Sequence, residues 1–224
     1  MKMPDLHARL LADVLALGSP YPLVLTGGYA VQAHELLERV SQDLDLATES
    51  ATPMDEIAQA VRTGLTERGW QVAEVEIAPL SARFQVTDPA TGEACEVDVL
   101  KEVFWRPIAQ SAYGPVLAEE DVIGTKVRAL ADRGAARDFL DVYAASQRWT
   151  TPDLEEFGRR HARGRFGPQD LQSRLAGADW IDDAEFTAYG LDENTMAALR
   201  TWAQHWSDDL ARRLHQDEAE PEES

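Results

Sequence analysis

Asp43 and Asp45 stand two residues apart in Ser41-Gln42-Asp43-Leu44-Asp45-Leu46. In a strand, residues two apart point to the same face. The two carboxylates therefore project together, while Leu44 and Leu46 face a core. Neighbouring carboxylates repel each other, and a hard divalent cation such as Mg2+ relieves that repulsion. Mg2+ takes oxygen ligands, usually one or two carboxylates plus phosphate oxygens. Just upstream lie an apolar run, Leu23-Val24-Leu25, the pair Gly27-Gly28, and a helical pattern from Tyr29 to about Arg39. Glycine lets a backbone approach a phosphate closely, and a helix N-terminus favours an anion. The segment reads as strand, tight turn, helix and second strand, suited to a metal-bound phosphate.

A third carboxylate would extend that chemistry, and Asp98 is the candidate. It lies within Cys95-Glu96-Val97-Asp98-Val99-Leu100. An Asp flanked by valines in a strand is unfavourable without a partner. If this strand lies beside the one bearing Asp43 and Asp45, three carboxylates converge and two divalent ions become feasible. Two metals can stabilise both the attacking and the leaving oxygen of an in-line phosphoryl displacement. Asp98 would then be placed to accept the proton of an attacking hydroxyl.

Positioning these residues requires a mixed set of elements. Leu6, Leu10, Leu11, Val14 and Leu15 recur at helical spacing over residues 4–17, and Gly18-Ser19-Pro20 stops that helix. Residues 54–68 read as a helix ended by Gly69. Residues 70–77, 80–87 and 94–100 read as strands, the last two joined by the turn cluster Asp88-Pro89-Ala90-Thr91-Gly92. In the last strand Cys95, Val97 and Val99 share one face, and Glu96 and Asp98 the other. Residues 103–113 leave room for one short extra strand. From Glu119 onward the pattern is helical, over 119–132, 135–148, 152–162, 168–176 and 193–215. The expected organisation is an α/β core over 1–115, a helical domain over 116–216 and a disordered acidic tail over 217–224.

Composition narrows the class. The 224 residues are 44% hydrophobic and 27% charged, as in ordinary globular proteins. No apolar run approaches the roughly 20 residues that span a bilayer. A single cysteine, Cys95, excludes an intrachain disulfide and a multi-cysteine zinc site. The expected location is the cytoplasm, without membrane association. The net charge of −19 argues against non-specific binding to nucleic acid, which needs local positive charge. The densest basic stretch is Arg159-Arg160-His161-Ala162-Arg163-Gly164-Arg165. It reads either as a helix end favoured by the macrodipole or as a phosphate-backbone contact for RNA.

Taken with two later segments, these motifs resemble the nucleotidyltransferase superfamily of the DNA polymerase β type. The later segments are Lys126-Val127-Arg128-Ala129-Leu130-Ala131-Asp132-Arg133 and Arg137-Asp138-Phe139-Leu140-Asp141. They are similar to the K-x-x-A-L-x-x-R and R-D-x-x-D helices of the AbiEii/AbiGii toxin family. The resemblance covers roughly residues 22–145, and its specificity lies in the combination of four spaced motifs. One departure is Gly28, where many superfamily members have serine.

The resemblance implies an α+β fold: a polymerase β-type core, with a mixed β-sheet flanked by helices, followed by a C-terminal helical bundle. It implies that Asp43, Asp45 and Asp98 hold two Mg2+ ions, or Mn2+ in their place. Gly27, Gly28 and Ser41 would line the nucleotide, Lys126 would reach the triphosphate, and Arg137, Asp138 and Asp141 would build the nucleotide side of the cleft. Lys126, Asp138 and Asp141 would be required for activity. In relatives the hydroxyl equivalent to Ser41 is a target of phosphorylation by a partner antitoxin. The implied reaction transfers NMP from an NTP to an acceptor hydroxyl, at the 3′ end of tRNA, in the toxin of a toxin–antitoxin or phage-defence pair. The alternatives are transfer to a small-molecule hydroxyl such as an aminoglycoside, and a non-catalytic nucleotide- or partner-binding module.

Blander readings stand beside these. The Arg137, Asp138 and Asp141 group also suits a structural salt-bridge network. His34 reads as a packing or surface residue, since Mg2+ prefers oxygen. Cys95 reads as core. Trp70, Trp105, Trp149 and Trp180 read as core or rim, with Trp105 able to stack on a base. Trp202 and Trp206, one turn apart, read as core.

Overall fold

Leu6, Leu10, Leu11 and Val14 make one buried face of the first helix, α1 (Asp5–Leu17). That face packs with β1 (Val24–Leu25), β2 (Asp43–Thr48) and helix α3 (Met54–Glu67) into one apolar core. Between β1 and β2 lies a short helix, α2 (Gly27–Ala33). After α3 come β3 (Gln71–Ala78), β4 (Ser81–Thr87) and β5 (Ala94–Lys101), then two three-residue strands, β6 (Ala109–Ser111) and β7 (Gly114–Val116). The computed structural model describes residues 3–39, 41–162 and 167–219.

The seven strands form one mixed sheet in the order β3-β4-β5-β2-β1-β7-β6. Strand β2 runs parallel to β5 on one side and antiparallel to β1 on the other. Ile57, Val61 and Leu65 of α3 join the apolar cluster that contains Phe84, Val97 and Val99 of the sheet. Period-two alternation survives on β2 and β4: Leu44 and Leu46 are fully buried between the half-exposed Asp43 and Asp45, and Ala82, Phe84 and Val86 alternate with Ser81, Arg83 and Gln85. The hairpin expected around residues 88–92 is present, and Asp88 shapes its turn by accepting from the Ala90 N–H at 2.8 Å.

The chain divides into two compact units, Met1–Val122 and Ile123–Ser224, with the division inside α4 (Glu119–Asp132). The second unit is helical. Beyond α4 it contains α5 (Ala136–Ala145), α6 (Thr151–Arg160), α7 (Pro168–Ala176), a 3-10 turn (Gly177–Trp180), α8 (Asp183–Thr187) and α9 (Glu193–Ala219). Phe139, Leu154, Leu171, Leu175, Phe186, Leu199 and Trp206 are buried there. Thr150 caps α6 by accepting from the Asp153 N–H, and Asp153 answers by accepting from the Thr150 N–H at 3.1 Å.

Several expectations are corrected. The helix expected from Tyr29 to about Arg39 begins at Gly27 and ends at Ala33. Glu35 adopts a left-handed φ of 56°, which a continuing right-handed helix does not permit. Strand β7 and helix α8 carried too little periodicity to be read. The acidic tail is helical through Ala219, and residues 220–224 lie outside the described residues. Trp180 is 90% exposed and Trp105 51%, whereas Trp70 and Trp206 are buried.

Candidate active site

The parallel pairing of β2 with β5 sets the chemistry of one sheet face. Asp45 stands directly beside Asp98 in the register, and Asp43 beside Glu96. Lateral partners share a face, so four carboxylates occupy two adjacent rows. On the far side of β5, antiparallel β4 extends the Asp45–Asp98 row with Arg83. The expected convergence of Asp98 with Asp43 and Asp45 is therefore present. It arises from a non-local pairing, since α3, β3 and β4 separate the two strands in sequence.

Arg83 grips Asp98 with both arms of its guanidinium. Its Nε donates to Oδ1 at 2.8 Å and its NH2 to Oδ2 at 2.7 Å, while Glu96 lies 3.4 Å from Nε. The bond to Asp98, followed by the charges of Asp98, Glu96 and Asp45, holds the guanidinium firmly in its charged form. The Asp98 side chain is only 11% exposed and that of Arg83 44%, so the pair straddles the edge of the core. Arg83 and Glu96 were not among the expected site residues. The turn cluster read at 88–92 would have set Arg83 opposite Val97; the loop in fact runs one residue further, with Thr87 paired to Ala94, and this brings Arg83 opposite Asp98.

The glycines serve the carboxylates directly. Gly27 has a φ of +62°, and a Cβ there would lie 1.8 Å from Asp45 Oδ2. A Cβ on Gly28 would lie 2.4 Å from Ser41 Oγ. Any side chain at either position would displace a site residue. The Thr26 N–H donates to the Asp45 carbonyl at 2.9 Å, which fixes the turn against β2. Buried Ser41 donates from Oγ to Asp43 Oδ1 at 3.0 Å. With seven residues, α2 is too short to supply the helix-terminus field expected of a longer helix.

A buried polar chain supports this region from α1. His7 Nδ1 lies 2.6 Å from the Tyr29 hydroxyl, which donates to the Ser41 carbonyl at 3.3 Å. With the Tyr29 proton committed to Ser41, Nδ1 carries its own hydrogen and donates to Tyr29. Burial lowers the His7 pKa, against the opposing charges of Asp43 and Glu93. Burial likewise pushes the Cys95 thiol up to about 12, so this core cysteine is no nucleophile. His34 donates from Nε2 to the Leu117 carbonyl at 2.7 Å, a packing role as expected.

In the second unit, Lys126 Nζ lies 3.0 Å from Asp141 Oδ2, with side-chain exposures of 11% and 0%. Asp138 is fully buried, accepts two bonds from Arg133 at 2.8 and 2.7 Å, and accepts from the Ala135 N–H at the start of α5. Arg137 follows in the first turn of α5. Both α5 carboxylates thus have the ion-pair partners of a structural network. Within the basic stretch, Arg159 and Arg160 both bond Glu156, while Arg163, Gly164 and Arg165 lie outside the described residues.

The donor set around Asp43, Asp45 and Asp98 is all oxygen, which suits Mg2+. As arranged, no group of three or more His, Cys, Asp or Glu side chains among the described residues is gathered to hold a metal ion. For Asp98 the reason is visible: both of its oxygens face Arg83. An open groove between α1 and α3, lined by Tyr21, Asp55, Glu56, Gln59 and Ile77, contains none of these residues. Among the described residues no helix is long and apolar enough to cross a membrane.

Residues 9–219 match the family described as "Nucleotidyl transferase AbiEii toxin, Type IV TA system". No curated protein matches the sequence at a significant level. Among solved structures, MenT4, a nucleotidyltransferase toxin from Mycobacterium tuberculosis H37Rv, is similar at a TM-score of 0.60 and 16% identity, over 93% of this chain and 85% of that one. JHP933 from Helicobacter pylori is similar at a TM-score of 0.54 and 18% identity, over 97% of this chain and 99% of that one. At such identities these likenesses show the fold.

Proposed function

Because the chain belongs to the AbiEii nucleotidyl transferase toxin family, we propose that it transfers NMP from an NTP to an acceptor hydroxyl and releases pyrophosphate. The observation that carries this reading is the lateral row of Asp45 and Asp98, with Asp43 on the same face. Asp43, Asp45 and Asp98 are the residues that would hold divalent ions, Mg2+ or Mn2+. Such ions, when bound, neutralise charge developing on phosphate oxygens.

The remaining work falls to the chain itself, and in phosphoryl transfer that work is mostly positioning and electrostatics. The Ser41 hydroxyl fixes the rotamer of Asp43. Gly27 leaves room for the carboxylate of Asp45, and Gly28 for Ser41. Asp98, once released by Arg83, accepts the proton of the acceptor hydroxyl. Lys126 contacts the triphosphate; Asp141 takes one of its three donors and aims the ammonium. Arg137, Asp138 and Asp141 serve the nucleotide side. The acceptor is the 3′ end of tRNA, the setting is a toxin paired with a cognate antitoxin, and the location is the cytoplasm.

The test is transfer of label from each α-phosphate-labelled NTP into total cellular RNA with Mg2+, beside an Asp43→Ala control. The expected result is a tRNA-sized labelled band that vanishes in the control. Absence of label with every NTP would overturn the RNA acceptor. Label appearing instead on a cationic aminoglycoside would shift the acceptor to a small-molecule hydroxyl, which a chain of net charge −19 would attract.

A further inference from the structure

The row Arg83–Asp98–Asp45 joins one cation to two carboxylates across three adjacent strands. A divalent ion seeking Asp98 meets a carboxylate whose two oxygens are both bonded to Arg83, at 2.8 and 2.7 Å. A bidentate arginine–carboxylate pair is geometrically specific and stronger than a neutral hydrogen bond. The guanidinium also lies 3.4 Å from Glu96 and feels the charge of Asp45, so it partly neutralises the face on which Asp43 stands too. Arg83 is 44% exposed at its side chain, which leaves it room to withdraw toward solvent without unpacking the core. The opposite side of β4 at this level is fixed by Ala82 and Phe84, both buried, so the strand itself has no cause to move.

We propose that Arg83 is the resident counter-cation of the carboxylate face, occupying Asp98 until a divalent ion displaces it. The proposal rests on the reading that Asp43, Asp45 and Asp98 bind a divalent cation. Arg83 is a positioning residue in this scheme. It holds Asp98 in place, keeps the free protein from binding metal tightly on its own, and leaves Asp98 when the metal arrives. No covalent bond changes; one ion pair is exchanged for another.

Mn2+ alone, titrated into the full chain and followed by its paramagnetic resonance signal, tests this without any turnover. Arg83→Gln is expected to bind Mn2+ roughly two- to fivefold more tightly than wild type, the scale of a partly exposed ion pair. Arg83→Lys keeps the charge and is expected to stay closer to wild type than to the Gln variant. Asp45→Asn, in either background, is expected to abolish the site. Unchanged or weaker Mn2+ binding in Arg83→Gln, with binding that still depends on Asp45, would overturn the role of Arg83 alone. Binding indifferent to Asp45 in both backgrounds would overturn the cation reading and this proposal with it. Thermal melting of each variant establishes that it is folded before titration. Arg83→Met, which retains the apolar stem, replaces the Gln variant if that one melts early.

Discussion

Gly27 is where a single atom decides whether the site forms. Its φ of +62° is open to glycine and costly for alanine, and the added methyl would sit 1.8 Å from an oxygen of Asp45. Neither problem can be relieved without moving the turn or the carboxylate. Gly27→Ala is expected to lower unfolding free energy by about 1–3 kcal/mol, measured by urea titration. It is also expected to remove nucleotide transfer. A variant that keeps full activity would show that Asp45 does not need its present rotamer. The same logic explains why glycine at position 28 is compatible with a serine at 41: the Ser41 hydroxyl sits near where a residue-28 side chain would begin. Gly27, Gly28, Asp43, Asp45 and Asp98 were legible from the residues themselves, a glycine pair between a strand and a helix and carboxylates on strands that disfavour them, whereas Ser41 entered through the family resemblance. Arg83 was not singled out, because an arginine on a polar strand face is ordinary until the hairpin register sets it opposite Asp98.

Among the elements, those with strong periodicity matched their expected spans closely: α1, α3, α4, α7 and the β4–β5 hairpin all lie within about two residues of the reading. Helix α2 did not, because its end is decided by a left-handed residue at Glu35 and by the hold of Gln32 on the Arg39 carbonyl, neither of which has a sequence period. Helix α1 reaches into the site region through His7, and that link is testable by pH. The folded value of His7 is lowered, chiefly by burial. Just below the ordinary value of 6.5 the unfolded chain therefore binds a proton that the folded chain refuses. The contribution of His7 is fully present above that value and is lost as pH falls toward the lowered one. Urea unfolding from about pH 7.5 to about pH 5.5 is expected to show a steeper loss of stability in wild type than in His7→Gln. Parallel pH profiles for the two proteins would mean that His7 takes up its second proton at Nε2 in place, with the Nδ1–H bond to Tyr29 kept.

For the whole molecule, the parallel neighbours β2 and β5 were the least legible feature, since no local pattern says which distant strand will complete a face. The net charge of −19 needs no structure to be read, and its consequence is global. Like charges of this number repel one another across the folded chain more than across the expanded one, so the acidic surface opposes folding. Raising salt from about 0.01 M to about 0.15 M shortens the screening length from roughly 30 Å to roughly 8 Å. Short ion pairs also weaken under screening, but exposed pairs such as Arg159–Glu156 and Arg212–Asp209 contribute little each. The buried Lys126–Asp141 pair is shielded from salt. The repulsion therefore dominates the balance, and the melting temperature is expected to rise over this salt range, by a few degrees on the scale of about 1 kcal/mol. A fall in melting temperature would mean that the exposed pairs act together as a network that outweighs the net charge. The same screening bears on the acceptor. An RNA approaching so acidic a chain gains only from local cations, so bulk RNA should associate weakly, leaving recognition to the acceptor end.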